Sequence, residues 1–109
     1  MSLDTTFGAL ADPTRRSVVE LLRAKPRRAS DLADELGASR PLMSKHLKIL
    51  RSSGLVETSH EDDARFRVYS LRREQFDELQ SWIEETQRFW ETQLDAFAAH
   101  VKRRTRDRR

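Results

Sequence analysis

The chain has 109 residues, a length that one hydrophobic core can serve, and 37% of its residues are hydrophobic. It contains no cysteine and no asparagine, which excludes disulfides, zinc–thiolate sites and N-glycosylation. No apolar stretch reaches the ~20 residues of a membrane helix, and the first residues lack the pattern of a signal peptide. We therefore expect a cytoplasmic protein that makes no membrane contact.

The net charge is only +3, but the charges are segregated along the chain. Residues 13–28 hold six Lys or Arg and one Glu, and residues 39–51 hold four and no acid. Residues 74–95 hold seven acids and one arginine, and the tail from residue 102 is basic again. Separate cationic and anionic surfaces are typical of a protein that binds a polyanion.

Four helices are predicted before residue 54, because apolar residues recur there at helical spacing. Asp12, Ser30 and Ser39 are good N-caps, and Gly37 and Gly54 suit the left-handed position after a helix. The predicted bounds are residues 3–11, 13–24, 31–36 and 39–53.

From residue 55 the pattern changes to that of two strands, residues 55–60 and 65–71, joined by a link short enough for a hairpin. A long amphipathic helix follows from about Arg73 and spans on the order of 40 Å. We expect one DNA-binding and dimerisation domain over residues 1–101 and a disordered basic tail over residues 102–109.

A short helix, a turn that contains Gly37 and a second helix are typical of a helix-turn-helix. At ~100° per residue, Met43, Leu47 and Leu50 of the second helix should pack inward. The opposite side is small or cationic, as expected for a helix that lies in a DNA major groove. The sequence therefore predicts DNA contacts from Ser39, Arg40, Pro41, Ser44, Lys45, Lys48 and Arg51.

The hairpin would form a wing beside this helix. Arg65 and Arg67 should share one strand face and reach phosphates or a minor groove, although each alone is as easily explained by solvation. The link contains Glu61, Asp62 and Asp63, which phosphates would repel. Either the tip of the wing curls away from the duplex, or the wing acts through its two arginines only.

Three segments together resemble the ArsR-type winged-helix repressors. They are FGALADPTRR at residues 7–16, SRPLMSKHLKIL at residues 39–50 followed by GLV at 54–56, and RVYSL at residues 67–71. The resemblance implies a winged helix-turn-helix, mainly α with a small β-hairpin wing, in the order α-α-α-α-β-β-α. It also implies a homodimer joined through its first and last helices, and repression of nearby genes that a signal relieves, such as a small-molecule effector.

The segment from Trp82 to Trp90 is similar to a subgroup of that family that does not sense metals. Metal-sensing members carry Cys-x-Cys on the helix before the recognition helix, where this chain has residues 31–34, DLAD. Others carry paired ligands on the last helix, where it has Asp95 and a lone His100. We expect no metal site and no cofactor.

Catalysis is not expected either. Ser44 and His46 are two residues apart on a helix and point in different directions, and there is no glycine-rich phosphate loop. We expect His46 to be a packing residue with a polar tip rather than a residue that reads bases.

Aromatic residues crowd the last helix. More apolar surface lies on this one helix than a monomer of this size can cover, so we expect a dimer interface there. A ligand pocket is the alternative, and a seam between subunits could serve as both. The predicted interface residues are Phe7, Leu10, Trp82, Phe89, Trp90 and Phe97.

The sequence therefore predicts a bacterial, nucleoid-associated homodimer that represses transcription by binding a near-palindromic operator in double-stranded DNA. The alternative function is a protein-interaction module on a winged-helix scaffold that binds no DNA and uses its acidic last helix as a binding surface.

Overall fold

The computed structural model describes residues 2–107. It contains five α-helices, a short 3₁₀ turn and three short strands within that range. In chain order these are α1 (Leu3–Leu10), α2 (Pro13–Ala24), β1 (Arg27–Arg28), α3 (Ala29–Leu36), α4 (Arg40–Ser52), β2 (Val56–Thr58), the 3₁₀ turn (Ala64–Phe66), β3 (Val68–Leu71) and α5 (Arg73–Asp107).

Side-chain caps set the starts of α2 and α4 where the sequence predicts them. Asp12 Oδ2 accepts the N–H of Arg15 at 3.0 Å, and Pro13 occupies the first turn, where its missing N–H has no helical partner. Ser39 Oγ accepts the N–H of Leu42 at 3.3 Å. Gly37 ends α3 with a φ of 63°, a left-handed conformation that favours glycine.

The expected start of α3 at residue 31, with Ser30 as its N-cap, is wrong. The helix begins at Ala29, and Arg28 is its N-cap residue without a side-chain cap bond. The reason is β1, which sequence reasoning missed: Arg27 pairs with Tyr69 and Arg28 with Val68 of β3. The chain leaves this strand directly into the helix, and Arg28 Nε instead donates to Asp31 Oδ2 at 3.3 Å.

The three strands form an antiparallel sheet in the order β1-β3-β2. In the pairing of β2 with β3, Val56 lies opposite Leu71 and Thr58 opposite Tyr69. The strands of the hairpin are shorter than expected, and the link between them runs from residue 59 to residue 67. Arg65 therefore lies in the 3₁₀ turn and does not share a strand face with Arg67, which corrects that prediction.

The core lies where α2, α3 and α4 pack against one another and against the sheet. Tyr69, Leu71 and Phe76 pack partly buried against this cluster, so β3 and the start of α5 cover it. The fully enclosed apolar residues are Ala9, Val18, Leu22, Leu32, Ala33, Met43, Leu47, Leu50, Leu55 and Val56. α4 packs against this core through one face only.

The chain divides into two units, one up to Glu78 and one from Leu79 onward, so α5 belongs to both. α5 has 35 residues and is roughly 52 Å long at 1.5 Å per residue. It continues through residues 102–107, where the sequence suggested a disordered tail. Lys and Arg form helices readily, and cations in the last turn interact favourably with the helix dipole. Residues 108–109 lie outside the described residues.

Among residues 2–107, none of the helices combines the length and the apolar character needed to cross a membrane.

Candidate nucleic-acid interface

α4 presents two chemically distinct faces. Met43, Leu47 and Leu50 have at most 1% of their surface exposed, which confirms their predicted inward position. Lys45 and Lys48 are exposed on the other side. The exposed residues Ser39, Arg40, Pro41, Ser44, Arg51 and Ser52 extend that side along the helix.

The exposed face of α4 carries positive charges that no acidic residue of the same helix offsets. Between Ser39 and Gly54 the sequence holds four Lys or Arg and no Asp or Glu. An ordinary solvated helix face mixes both signs of charge. A face of this kind attracts a polyanion and lets small side chains such as Ser44 approach it closely.

Two clefts lie between α4 and the segment that leads into β3, and the second is also lined by residues of β1 and α3. The first, of about 520 Å³, is lined by Ser44, Lys48, Arg51, Ser52, Arg67 and Tyr69. The second, of about 540 Å³, is lined by Arg28, Ala29, Ser30, Asp31, Asp34, Arg40, Ser44, Ala64 and Arg65. The fold thus brings four of the seven predicted contacts of α4 beside the wing arginines, namely Arg40 and Ser44 beside Arg65, and Ser44, Lys48 and Arg51 beside Arg67.

The opposite flank of α4 is apolar, which sequence reasoning missed. Leu42 and Ile49 are 46% and 42% exposed and lie seven residues apart on one side of the helix. The signal was present in the same helical projection, because both residues fall outside the arc of Met43, Leu47 and Leu50. The exposed face is therefore asymmetric, cationic toward the wing and apolar away from it.

The tip of the wing is held together by its own arginines. Arg65 Nη2 donates to Asp63 Oδ2 at 2.7 Å, and this bond holds the pKa of Asp63 below its ordinary value and raises the pKa of Arg65. Arg67 Nε donates to the backbone oxygen of Glu61 at 2.9 Å, and its Nη2 donates to that of Asp62. Arg65 thus offsets the charge of Asp63 through a direct ion pair, whereas Arg67 donates to neutral backbone oxygens.

His46 is 9% exposed on the inner side of α4, which confirms that it packs rather than faces solvent. Its Nδ1 lies 3.3 Å from Arg15 Nη1 and 3.9 Å from Asp12 Oδ2. Within residues 2–107, no three His, Cys, Asp or Glu side chains are grouped as metal ligands would be.

The predicted interface residues of α5 are highly exposed. Phe89, Trp90 and Phe97 have 58%, 62% and 67% of their surface exposed, and Trp82 has 43%. The rings of Phe89 and Trp90 meet edge to face at 5.9 Å. Leu94 and Val101 continue this apolar surface along the helix.

On α1, the two predicted interface residues differ in their environment. Phe7 is 42% exposed, whereas Leu10 is partly buried and packs against the core. Of the pair, Phe7 is the more exposed.

Known proteins are similar to this chain in sequence and in fold. Residues 12–58 match the family model described as bacterial regulatory protein, arsR family. The HTH-type transcriptional regulator Rv2034 of Mycobacterium tuberculosis is 37% identical over 97 residues, which cover 89% of this chain and 86% of the relative. The transcriptional repressor SdpR of Bacillus subtilis is 31% identical over 81 residues, which cover 74% of this chain and 88% of the relative.

A solution structure from Mycobacterium bovis has the same fold, with a TM-score of 0.62 and 26% identity over 77% of this chain and 76% of that one. It is described as the homodimeric winged helix-turn-helix DNA-binding domain of a possible ArsR-family regulator. The three-stranded sheet beside α3 and α4 is the winged helix-turn-helix architecture that the sequence predicted. With these similarities across most of its length, the chain belongs to the ArsR family of bacterial regulatory proteins.

Proposed function

We propose that the protein is a homodimeric repressor that binds a specific double-stranded DNA operator on the bacterial nucleoid. One observation carries the proposal: α4 exposes a cationic, acid-free face while its other face is locked into the core. Family membership supports a regulatory role, as do relatives that are named regulators and repressors.

The contacts divide by position on the helix. Arg40, Ser44 and Lys45 lie in the N-terminal half of α4, the part that meets base edges in helix-turn-helix proteins, and we propose that they read sequence. Ser39 and Pro41 shape this end of the helix and allow the backbone to approach the duplex. Lys48, Arg51, Arg65 and Arg67 line or flank the clefts beside the wing and would hold phosphates.

A dimer is proposed because a second copy of the chain would cover the exposed apolar surface of α5. Trp82, Phe89, Trp90 and Phe97 would form this interface together with Phe7 and Leu10 of α1. Two copies related by a two-fold axis would place their α4 helices in successive major grooves. The operator would then be near-palindromic, with half-sites about 34 Å apart.

The test starts by selecting bound duplexes from a random library and measuring affinity for them by gel shift. Replacing Arg40 or Lys45 with alanine should weaken binding by about tenfold or more and relax the preference at one base position, because a bidentate base contact supplies roughly 1–3 kcal/mol of discrimination. Arg23→Ala is the matched control, since Arg23 is an exposed arginine on α2 outside this face.

Unchanged affinity and unchanged sequence preference for both α4 variants would contradict the assignment of the reading face. If the wild-type protein showed no salt-dependent affinity for any duplex, the proposal of DNA binding itself would fall, and a protein-interaction module would account for the fold better.

A further inference from the structure

The side chain of Arg15 joins three helices at one point. Its Nε donates to the backbone oxygen of Ala9 at 2.7 Å, and its Nη2 donates to that of Gly8 at 3.3 Å. Its Nη1 lies 3.3 Å from His46 Nδ1. Arg15 itself belongs to the first turn of α2, whereas the oxygens belong to the last turn of α1 and His46 lies in the middle of α4.

The chemistry of the two groups determines which of them donates the hydrogen bond. A guanidinium group only donates hydrogen bonds, so Nδ1 of His46 must be the acceptor. The last carbonyl groups of a helix lack partners within the helix, and a cation placed against them is favourable. The planar guanidinium group of Arg15 therefore bonds the last carbonyl groups of α1 and, at the same time, one ring atom of His46 in α4.

The apolar contacts of α4 do not supply this kind of constraint. Met43, Leu47 and Leu50 hold the helix against the core, but apolar burial is non-directional and tolerates small rotations and shifts. The bond between Arg15 and His46 is directional, partly shielded from water and charge-assisted. It is a directional side-chain contact that links the inner face of α4 to another helix.

We infer that Arg15 is a positioning residue for DNA reading: through His46 it holds α4 in the rotation at which Arg40, Ser44 and Lys45 face the duplex. The inference rests on the proposed function. Because the same guanidinium group bonds the end of α1, it also couples α1 to the reading helix.

Four variants test the role of this contact. Arg15→Lys keeps the charge but cannot bond three acceptors in one plane. His46→Leu removes the acceptor, whereas His46→Asn places an oxygen at the position of Nδ1. Arg16→Lys is the matched control, because Arg16 is the neighbouring, exposed arginine of α2.

Affinity for the selected operator and for an unrelated duplex is measured by fluorescence anisotropy, at a temperature at which circular dichroism shows every variant folded. Arg15→Lys and His46→Leu should each lower operator affinity about tenfold, the effect of losing one charge-assisted hydrogen bond, and leave affinity for the unrelated duplex within about twofold. His46→Asn and Arg16→Lys should retain the operator preference. The double variant Arg15→Lys, His46→Leu should lose no more than either single variant.

A role in fold stability alone would lower melting temperatures while the folded variants bind the operator as well as the wild type, and this result would overturn the inference. An equal loss of affinity for the operator and for the unrelated duplex would also overturn the inference. Such a result would show a general electrostatic effect on DNA binding. If Arg15→Lys does not fold, the comparison of His46→Leu with His46→Asn decides alone. The proposed function is judged separately, by whether the wild type prefers any duplex.

Discussion

The carboxylate of Asp12 shows how one residue links local structure to stability. It caps α2 by accepting the N–H of Arg15, and this bond holds the pKa of Asp12 below its ordinary value of 3.8. A carboxyl whose pKa is lower in the folded chain stabilises the fold above its ordinary pKa. This stabilisation is lost as the pH falls through 3.8 toward the lowered value.

Asp12→Asn tests this dependence, because asparagine caps helices as well as aspartate does but does not titrate. The variant should melt at a lower temperature than the wild type at neutral pH, and the difference should shrink as the pH falls below 3.8, the ordinary pKa of the carboxyl. Thermal denaturation followed by circular dichroism across this pH range is the measurement. A difference that stays constant with pH would show that the charge of Asp12 contributes nothing to stability.

The bond between Asp63 and Arg65 makes a second prediction at the residue scale. Since Asp63 offsets the charge of Arg65, Lys48→Ala should reduce the salt dependence of DNA binding more than Arg65→Ala does. One phosphate contact corresponds to a slope of about 0.9 in log affinity against log salt. Asp63→Ser should steepen the slope by freeing Arg65, while serine can still accept the N–H that Asp63 accepts.

Asp62→Ser is the matched control for this experiment, because it removes the same charge from the tip without releasing an arginine side chain. Equal changes in slope for Asp62→Ser and Asp63→Ser would show that only the net charge of the wing matters, and that Arg65 gains no phosphate contact.

Among the elements, those with local signals were predictable and those made by distant pairing were not. α2 and α4 start within a residue of prediction because Asp12 and Ser39 are strong caps next to periodic apolar residues. β1 has two residues and exists only because β3 lies beside it, so no pattern in residues 27–28 announces it. Its presence moves the start of α3, since the strand delivers the chain directly to Ala29.

The wing was mispredicted for a related reason. Residues 65–71 alternate as a strand would, but Asp63 caps a 3₁₀ turn and takes residues 64–66 out of the ladder. The short-range hydrogen bonds of an aspartate compete with strand pairing. The inward and outward positions of α4 follow from helical geometry alone, although sequence reasoning missed the exposed Leu42 and Ile49. The contact of Arg15 with His46 was not predictable, because it joins residues 31 apart in the chain.

At the scale of the whole molecule, the surfaces proposed for assembly and for base reading are centred on different helices. The proposed reading face of α4 lies before residue 54, and the exposed aromatic residues Trp82, Phe89, Trp90 and Phe97 lie on α5. Trp90→Glu should therefore give monomers at micromolar concentration, because burying an unpaired carboxylate in an apolar seam is strongly unfavourable. It should also weaken operator binding, since a monomer holds only one half-site.

Light scattering or sizing measures the oligomeric state of this variant, and gel shift measures its DNA affinity. Gln87→Glu is the control, because it adds the same charge to the polar side of α5 beside Glu84 and Glu91. A dimer that survives Trp90→Glu would show that the interface lies elsewhere.

The distribution of tryptophan gives the molecule an intrinsic optical reporter. The chain has two tryptophans, Trp82 and Trp90, and both lie on α5, so the part that contains α1 to α4 is silent in indole emission. Subunit association would bury these tryptophans as the protein concentration rises and shift their emission to shorter wavelength. The shift would report association without any label. Emission excited at long wavelength therefore separates pairing of the chains from engagement of the duplex in a single titration.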